Sequence, residues 1–418
     1  MSSATASAAP VLTPADLRKA VRDALRAVPT GARVLAVIPD RTRDDNTDLL
    51  FPMLSQELAS RGAGQFDALV AQGTHPAMTD AEKRAKIGAG LADMPLLGAV
   101  FDHHWDRPSE LTTLGTLTGS EVSSLTGGLM TGDVPVQLNA RLAPGMYDFI
   151  FVVGATVPHE VAGFAGGAKY FFPGVAGPDL THLTHWLGAL ATIERVIGRV
   201  ETPTRRVIEA AADRVTTPVI AFTSVSTRRD SGLVTHALFT GGLRETVRQA
   251  AAVSSQVHVR YTGRRYRRVV ALLDEHYDEM WVGGKASYKL GAIIDEGGEL
   301  IIYAPHLTRI STTHGALIEK YGYAPLEQVR DMVDGSDELR ANLCVAAHLA
   351  HVSYASSHGG RTPRYRITLA TALSEEVCRR VHLGYLDYRT FRREPYDADP
   401  DTLVVDDAGR DLYLPAPR

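Results

Sequence analysis

The sequence predicts an α/β protein of two domains, each with a mostly parallel sheet flanked by helices, and an active site in the cleft between them. The chain has 418 residues, which is more than one hydrophobic core usually supports. Apolar runs typical of buried strands alternate with helical patterns, as in doubly wound parallel sheets. Polar, glycine-rich loops follow several of these runs, and open α/β sheets place their ligands at such strand ends.

The composition is that of an ordinary globular protein, with 44% hydrophobic and 22% charged residues. A formal net charge of −4 gives no basic surface for nucleic acid. One short arginine cluster is interpreted as the exposed start of a helix; it comprises Arg264, Arg265, Arg267 and Arg268. No uncharged apolar run reaches the ~18 residues of a membrane span. We therefore expect a cytoplasmic protein that binds neither nucleic acid nor membrane.

The amino terminus and the cysteines argue against a secretory signal peptide and against a cysteine-based framework. Residues 1–12 are predicted to be a disordered leader, because Met1–Pro10 is rich in Ser and Ala and lacks the charged and apolar regions of a signal peptide. Cys344 and Cys378 are too few for a disulfide framework or a thiolate metal cage. Both are predicted to be buried, inert thiols.

Residues 13–255 are predicted to form the first domain, which binds the cofactor and carries the catalytic groups. Its first helix starts with Thr13 as N-cap and Pro14 at the first helical position, and Thr79 starts another. The segment Val100–Leu138 is predicted to hold short strands and a hairpin. The other predicted elements are strands at 33–38, 67–71, 148–153 and 219–222 and helices around 49–58, 179–200 and 205–212.

Residues 256–418 are predicted to form a second α/β domain that closes over the substrate. Its predicted elements are helix Arg267–Leu273, strand Glu279–Val282, loop Gly283–Lys285, helix Tyr288–Ile294 and strand Glu299–Ala304. The last ~30 residues alternate short strands and turns.

The loop Val157–Gly174 is the strongest candidate for a site. It follows the apolar run Asp148–Gly154 and contains four glycines, which allow a backbone to pass close to another group. His159 and Lys169 lie within it, and His185 follows on the next predicted helix. Glycines with titratable groups in one loop indicate a cofactor site.

Polar groups also follow two earlier strands, and the carboxyl ends of parallel strands share one edge of a sheet. The groups expected to converge there are Asp40, Arg43, His75, His159 and Lys169. A zinc-type cluster of His75, His159, His182 and His185 is an alternative. No carboxylate completes a known zinc motif, and the spacing is not that of a His-Glu-x-x-His helix.

Four motifs, in order over roughly the first 190 residues, resemble the nickel-dependent lactate racemase family. They are Pro39-Asp40-x-Thr42-Arg43, Gly73-Thr74-His75, Pro158-His159 through Gly163-Phe164-Ala165-Gly166-Gly167-Ala168-Lys169 to Pro173-Gly174, and His185. A Gly-Gly-x-Lys loop alone is a weak signal, but four motifs in order are a strong one.

The resemblance implies a racemase or epimerase of 2-hydroxy acids that uses the nickel pincer nucleotide, a pyridinium mononucleotide with two thio-acyl arms around nickel. Lys169 would bond covalently to one arm, and His185 would ligate the nickel. His75 and His159 would be the acid/base pair. Asp40, Thr42, Gly166 and Gly167 are predicted cofactor-binding residues, and His182 has no assigned role.

The residue types suit this chemistry. The C2–H of a hydroxy acid is a poor acid, and its removal as hydride to a pyridinium ring avoids a carbanion. The hydroxyl proton must leave as the hydride departs, and histidine suits that transfer because its pKa is near neutral. Two histidines can serve the two enantiomers, one each. Arg43 is a candidate anchor for the substrate carboxylate.

Two departures from the family pattern affect the substrate assignment. Ala165 stands where relatives usually have Ser, and Ser287-Tyr288-Lys289 replaces a Tyr-Gln-x-x-Lys segment that reaches the substrate. Either Lys285 or Lys289 is predicted to bind the substrate instead. Lactate, malate, an aromatic hydroxy acid or a sugar acid all fit.

The predicted partners are the small 2-hydroxy acid, the proteins that make the cofactor, and a second copy of the chain in a homo-oligomer. Two other functions stay open: a zinc-type metallohydrolase, and a non-catalytic paralogue that binds cofactor or nickel. The presence of both His75 and His159 argues against the paralogue, because binding alone needs only the lysine and the nickel ligand.

Overall fold

The computed structural model describes residues 10–90, 92–229, 232–356 and 360–417. Residues 1–9 of the predicted leader lie outside these ranges. The chain divides into two compact units, one made of residues up to Thr184 with Arg199–Val257, the other of His185–Gly198 with His258–Arg418. The segment His185–Gly198 thus groups with the second unit, whereas a single boundary near residue 255 would have left it in the first.

The elements up to residue 257 alternate between helix and strand. They are α1 Pro14–Ala24, β1 Arg33–Pro39, α2 Thr47–Ser60, β2 Gln65–Ala71, α3 Asp80–Lys86, β3 Leu97–Phe101, β4 Leu111–Leu117, α4 Gly119–Thr126, β5 Val134–Asn139, β6 Phe149–Ala155, β7 Pro158–His159, β8 Gly163–Phe164, α5 Pro178–Leu190, α6 Ile193–Val196, α7 Pro203–Ala212, β9 Val219–Arg229, β10 Gly232–Gly241 and α8 Leu243–Val257. Short 3-10 helices occur at Leu25–Ala27, Pro108–Glu110, Ala140–Leu142 and Gly167–Tyr170.

Local sequence explains several of these elements. Thr13 and Thr79 each form a capping box, in which the threonine side chain accepts from a backbone N–H of the first turn and a carboxylate of that turn returns the bond. Strand β1 is buried from Val34 to Pro39, as an apolar run in a sheet covered on both faces should be. The hairpin predicted between Val100 and Leu138 is present as β4 and β5, which pair antiparallel.

The first unit is built on a six-stranded sheet of order β10-β9-β6-β1-β2-β3. Only β10 runs antiparallel to its neighbour. A row of phenylalanines crosses one face, with ring centroids 4.6 Å apart for Phe51 and Phe66 and 5.3 Å for Phe151 and Phe222. Helices α1 and α2 cover that face, and α8 packs on the other through Val225 and Ala237.

The second unit has its own five-stranded parallel sheet, of order β15-β14-β13-β12-β16, and a two-stranded parallel pair, β11-β17. Its elements are β11 Val259–Tyr261, β12 Tyr266–Leu272, α9 Met280–Gly283, α10 Lys285–Leu290, β13 Ile294–Ala304, α11 Gly315–Tyr321, α12 Leu326–Gly335, α13 Asp337–Arg340, α14 Leu343–Ser353, β14 Arg366–Thr371, α15 Glu375–Arg380, β15 Gly384–Tyr385, α16 Glu394–Asp397, β16 Thr402–Val405 and β17 Leu412–Leu414, with 3-10 helices at Gly291–Ile293 and Tyr388–Thr390. The predicted α/β class with mostly parallel sheets is confirmed.

Three elements of the second unit were predicted wrongly. The predicted loop Gly283–Lys285 is instead the junction of two helices, since Gly283 ends α9 and Lys285 begins α10. Residues 267–272 belong to strand β12 rather than to a helix, so Arg267 and Arg268 begin no helix. The predicted strand Glu279–Val282 is instead the start of helix α9, with Glu279 as its N-cap. Short apolar runs do not distinguish a buried strand from a buried helix by periodicity, and here pairing of β12 with β13 and β16 decided the outcome.

Both cysteines are buried, as predicted. Burial raises the pKa of the Cys344 thiol to about 12 and that of Cys378 to about 11, so neither is a reactive thiolate at neutral pH. Among the described residues no helix is both long and apolar enough to cross a membrane.

Candidate functional site

Three neighbouring parallel strands bring the predicted site loops of the first unit to one edge of its sheet. Strand β1 pairs with β2 on one side and β6 on the other, with Val37 opposite both Leu69 and Val152. The loops after these three strands therefore emerge together.

Asp40 and His75 form an ion pair or hydrogen bond across this edge. The Oδ2 atom of Asp40 lies 2.6 Å from Nδ1 of His75. The other carboxylate oxygen accepts from the backbone N–H of Thr42 at 2.9 Å and from its hydroxyl at 2.6 Å. Asp40 is only 3% exposed. Its carboxylate therefore fixes the orientation of the His75 ring.

The surroundings of Asp40 favour the ionised form of its carboxylate. Burial by itself would raise the pKa, but the charge and hydrogen bond of His75, the charge of Arg43 and the Thr42 hydroxyl together hold it well below its ordinary value. An ionised Asp40 can only accept a hydrogen bond, so His75 carries its proton on Nδ1. The Nε2 lone pair of neutral His75 is then available to take a proton.

A buried ion pair fixes the loop that carries Asp40 and Arg43. The Lys86 ammonium at the end of α3 donates to the Arg43 carbonyl at 3.0 Å and to Asp45 at 2.7 Å. The side chain of Asp45 is fully buried, and that of Lys86 is 9% exposed. Removing either partner would leave a buried charge uncompensated, so the loop after β1 is pre-organised by the helix after β2.

The loop with His159 and Lys169 is held to the His75 loop through the backbone. The N–H of Gly73 donates to the carbonyl of Gly174 at 2.9 Å, and Gly73 has the left-handed φ of +56°. His159 lies in a short hairpin, β7 with β8, in which it pairs with Gly163. Lys169 follows in the 3-10 helix Gly167–Tyr170.

Lys169 lies in an environment that disfavours its charge. Burial lowers its pKa most, and the neighbouring charges of Arg43 and Arg205 lower it further, against the opposing effect of Glu160 and Asp40. The pKa falls from 10.5 to about 7. A large fraction of the amine is then unprotonated at neutral pH and can act as a nucleophile. These charges also place Arg43, Glu160 and Asp40 in the electrostatic vicinity of Lys169.

We expect Lys169 to be acylated at neutral pH far faster than an ordinary lysine. Trace labelling with acetic anhydride, followed by peptide mass spectrometry, should show its rate rising with pH and levelling off above about pH 8, because deprotonation is then nearly complete. Lys320 is the control, since its hydrogen bond to Glu338 raises its pKa above 10.5. Parallel pH profiles for the two lysines would contradict the assignment.

The glycines of this loop are in close contact with neighbouring parts of the protein. At Gly166 and Gly167, with φ of +94° and +60°, a Cβ atom would overlap Thr156 Oγ1 and Val247 Cγ2 respectively. Buried Arg205 donates to the carbonyls of Gly166, at 3.2 Å, and Phe164. Packing against α7 and α8 thus accounts for these glycines, and their contact with a cofactor stays a prediction.

Two buried polar atoms beside these loops have no hydrogen-bond partner among the described residues. They are Oε1 of Gln72, at the end of β2, and Oγ1 of Thr156, just after β6. Gln72 is 4% exposed and Thr156 is fully buried. Buried polar atoms in native proteins are nearly always satisfied, by water or a ligand if not by protein. Both positions are consistent with a bound polar molecule at this edge.

The zinc-type cluster of four histidines is not formed. Within the described ranges no three His, Cys, Asp or Glu side chains are grouped so that they could hold a metal ion. His182 instead packs edge-on against Trp105, with centroids 5.8 Å apart, and burial lowers its pKa. A nickel site to which the protein supplies a single histidine does not need a cluster of three ligating side chains.

The remaining predicted site residues belong to the second unit. Lys289 is buried, at 3% exposure, so it is not a solvated surface lysine. The Lys285 ammonium lies 5.6 Å from the centroid of the Tyr277 ring. His185 is partly exposed, and its charge is among those that lower the pKa of His348.

An aromatic and histidine cluster around His348 in the second unit was not among the predicted sites. The Trp281 ring lies between His348 and His314, with centroids 4.3 and 4.5 Å away. The ring nitrogens of His348 face the hydroxyls of Tyr288, at 2.8 Å, and Tyr323, at 3.3 Å. Burial first, then the charges of His351, His314 and His185, keep the pKa of His348 well below its ordinary value. The spacing of His348 and His351 on α14 was the available signal.

The first part of the chain is similar to known lactate racemases. Residues 15–196 match the family model described as the lactate racemase N-terminal domain. A lactate racemase from Thermoanaerobacterium thermosaccharolyticum is 28% identical over 154 residues, which cover 36% of this chain and 32% of that protein. The aligned part therefore spans about a third of this curated relative's length.

Solved structures cover nearly the whole chain. A protein from Thermotoga maritima aligns with a TM-score of 0.88 and 31% identity over 96% of this chain and 98% of that one. The lactate racemase apoprotein from Thermoanaerobacterium thermosaccharolyticum aligns with a TM-score of 0.70 and 17% identity, over 95% of this chain and 92% of that one. At 17% identity this second likeness shows a shared fold.

Proposed function

We propose that the chain, whose residues 15–196 match the lactate racemase N-terminal domain family, is a racemase or epimerase of a 2-hydroxy acid. The observation that carries the proposal is the part-buried Asp40–His75 pair, 2.6 Å apart, on the same sheet edge as Lys169, whose pKa is about 7. A base fixed in one tautomer and a nucleophilic amine are the two groups that this chemistry requires of the protein.

His75 moves the hydroxyl proton in this proposal. Because its Nδ1–H is held by ionised Asp40, its Nε2 atom can accept the proton of the substrate's C2 hydroxyl and later return one. His159 does the same for the opposite enantiomer. Arg43 carries a positive charge beside both Asp40 and Lys169 and would bind the substrate carboxylate, for which its planar fork is suited.

The residues of the first unit fit the nickel pincer nucleotide. Lys169 would hold one thio-acyl arm through a C–N bond, which its unprotonated amine forms with a thiocarboxylic acid group as water leaves, and the unsatisfied polar atoms of Gln72 and Thr156 would hydrogen-bond to the ligand. When bound, this cofactor would supply a pyridinium ring that can take up hydride and give it back. Contact of Thr42, Gly166 and Gly167 with this cofactor stays a prediction. The roles that the resemblance gives His185, Lys285 and Lys289 stay predictions.

The intact mass of the protein tests the cofactor part of the proposal. After co-expression with the proteins that make the cofactor, we expect an adduct that maps to Lys169 by peptide sequencing. Lys169→Arg should abolish it, because a guanidinium is not a nucleophile at neutral pH. Lys83→Arg is the matched control, since Lys83 pairs with Asp102 and should leave the adduct in place. An unmodified Lys169 under these conditions would remove the cofactor from the proposal.

The reaction is tested by incubating the cofactor-loaded protein with single enantiomers of 2-hydroxy acids and resolving the products by chiral chromatography. Inversion is expected for at least one of lactate, malate, an aromatic hydroxy acid and a sugar acid. Deuterium placed at C2 should remain largely unexchanged with solvent, because hydride does not equilibrate with water. An adduct without inversion of any of these acids would favour the non-catalytic paralogue.

A further inference from the structure

The surroundings of the His159 ring differ from those of His75. Its Nδ1 atom accepts the backbone N–H of Val161 at 3.1 Å. The carboxylate oxygen Oε2 of Glu160 is 3.5 Å from the same ring nitrogen, which is longer than an ordinary hydrogen bond of about 2.7–3.2 Å. The side chains of His159 and Glu160 are only 9% and 14% exposed. One ring nitrogen thus faces both a donor and an acceptor.

Proton transfer at Nε2 of a histidine requires that Nδ1 carry a hydrogen. A neutral imidazole that accepts a proton at Nε2 must carry its own hydrogen on Nδ1, and the imidazolium formed carries both. Nδ1–H is therefore present in both catalytic states. The Val161 N–H cannot face an Nδ1–H favourably, since both are donors. With that contact, His159 is held as the Nε2–H tautomer, which donates a hydrogen bond but takes up no proton at Nε2.

We propose that Glu160 is the positioning residue of His159: its carboxylate accepts the Nδ1–H and so makes the imidazole a competent acid and base at Nε2. This rests on the proposed function, and it gives Glu160 the part that Asp40 plays for His75. In this arrangement the 3.5 Å separation closes to a hydrogen bond, and the bond of the Val161 N–H to Nδ1 is released.

The charge distribution around Glu160 agrees with this role. Glu160 is also one of the groups that act on Lys169, where its negative charge opposes the fall in pKa. The Glu160 carboxylate thus lies 3.5 Å from the histidine, and its charge acts on the lysine of the same loop. Asp40 does the same from the β1 side, through its contact with His75 and its effect on Lys169. The two histidines then each have one carboxylate partner.

The experiment compares Glu160→Gln with wild type, using the full chain loaded with cofactor. The ring nitrogens of His159 are followed by nitrogen-15 NMR after histidine labelling and assigned with a His159→Gln variant. We expect hydrogen on Nδ1 of His159 in the wild type and only on Nε2 in Glu160→Gln. Turnover should fall at least about 10-fold, since acid–base catalysis is worth about 10²–10⁴-fold. The Lys169 adduct should be unchanged.

Two further variants complete the test. Glu160→Asp keeps the carboxylate and should restore the Nδ1–H signal and part of the turnover. Glu110→Gln is the control, because Glu110 also contacts a histidine nitrogen, Nδ1 of His104, at 2.8 Å, and neither residue is among the predicted site residues. It should change the His104 signal and leave turnover intact.

The outcomes separate this inference from the proposed function. An Nε2–H tautomer of His159 in the wild type, or full turnover in Glu160→Gln, would overturn the role of Glu160 while the racemase proposal stands. Absence of inversion by every variant would remove the proposed function, yet the tautomer of His159 in wild type, Glu160→Gln and Glu160→Asp would still decide whether Glu160 holds the Nδ1–H.

Discussion

Replacement of His75 by glutamine is expected to lower kcat by about 10²–10⁴-fold, the usual worth of a positioned acid or base. The reason is that Asp40 holds the hydrogen of His75 on Nδ1, at 2.6 Å. The Nε2 atom of the neutral ring therefore keeps its lone pair and can accept a proton. Glutamine can still donate to the buried carboxylate, so the Asp40 charge keeps a partner. The Lys169 adduct should therefore form normally, and steady-state kinetics on the adduct-bearing protein measures the loss.

Asp40→Asn should give a loss of similar size for a different reason. An amide in place of the carboxylate no longer requires Nδ1–H of His75, and the other tautomer has no lone pair at Nε2. Asp44→Asn is the matched control: it makes the same change of charge in the same loop, but Asp44 pairs with Arg228 rather than His75. Near-normal turnover of Asp40→Asn would show that the dyad has no catalytic role.

Gly163→Ala is expected to lower the free energy of unfolding strongly. Gly163 has φ of +82°, which costs an alanine about 1–2 kcal/mol. In addition, the new Cβ would overlap the backbone carbonyl oxygen of Arg199, and backbone cannot move aside as a flexible side chain can. We expect a total loss above about 4 kcal/mol, which marks a severe steric defect. Urea unfolding of the purified protein measures it.

Gly127→Ala separates the two contributions. Gly127 also has a left-handed φ, +67°, but a Cβ there meets no atom within 4 Å. Its expected cost is only the conformational part, about 1–2 kcal/mol. Equal losses in the free energy of unfolding for the two variants would mean that the backbone of the β7–β8 hairpin shifts to make room for the methyl group. Because Gly163 pairs with His159, such a shift would displace the histidine, and turnover would fall even if the fold survived.

Much of the site could be predicted from local sequence. The strands before Asp40, His75 and His159 are continuous apolar runs, and parallel pairing of β1, β2 and β6 brought their following loops to one edge as expected. The capping boxes at Thr13 and Thr79 are encoded within four residues each. Glu160 was missed because a single acidic residue in a loop has no local pattern; its significance is a distance of 3.5 Å to His159.

Sequence alone determined the alternation of elements and the loops that bear chemistry, because hydrophobic periodicity and turn residues act over a few positions and need no partner. The tertiary structure decided what distant segments do to one another. It made residues 267–272 part of a strand by pairing them with β13 and β16, grouped His185–Gly198 with the second unit, and lowered the pKa of Lys169 to about 7. Burial and charge are sums over the folded surroundings of a group, and those surroundings come from residues far away in the chain.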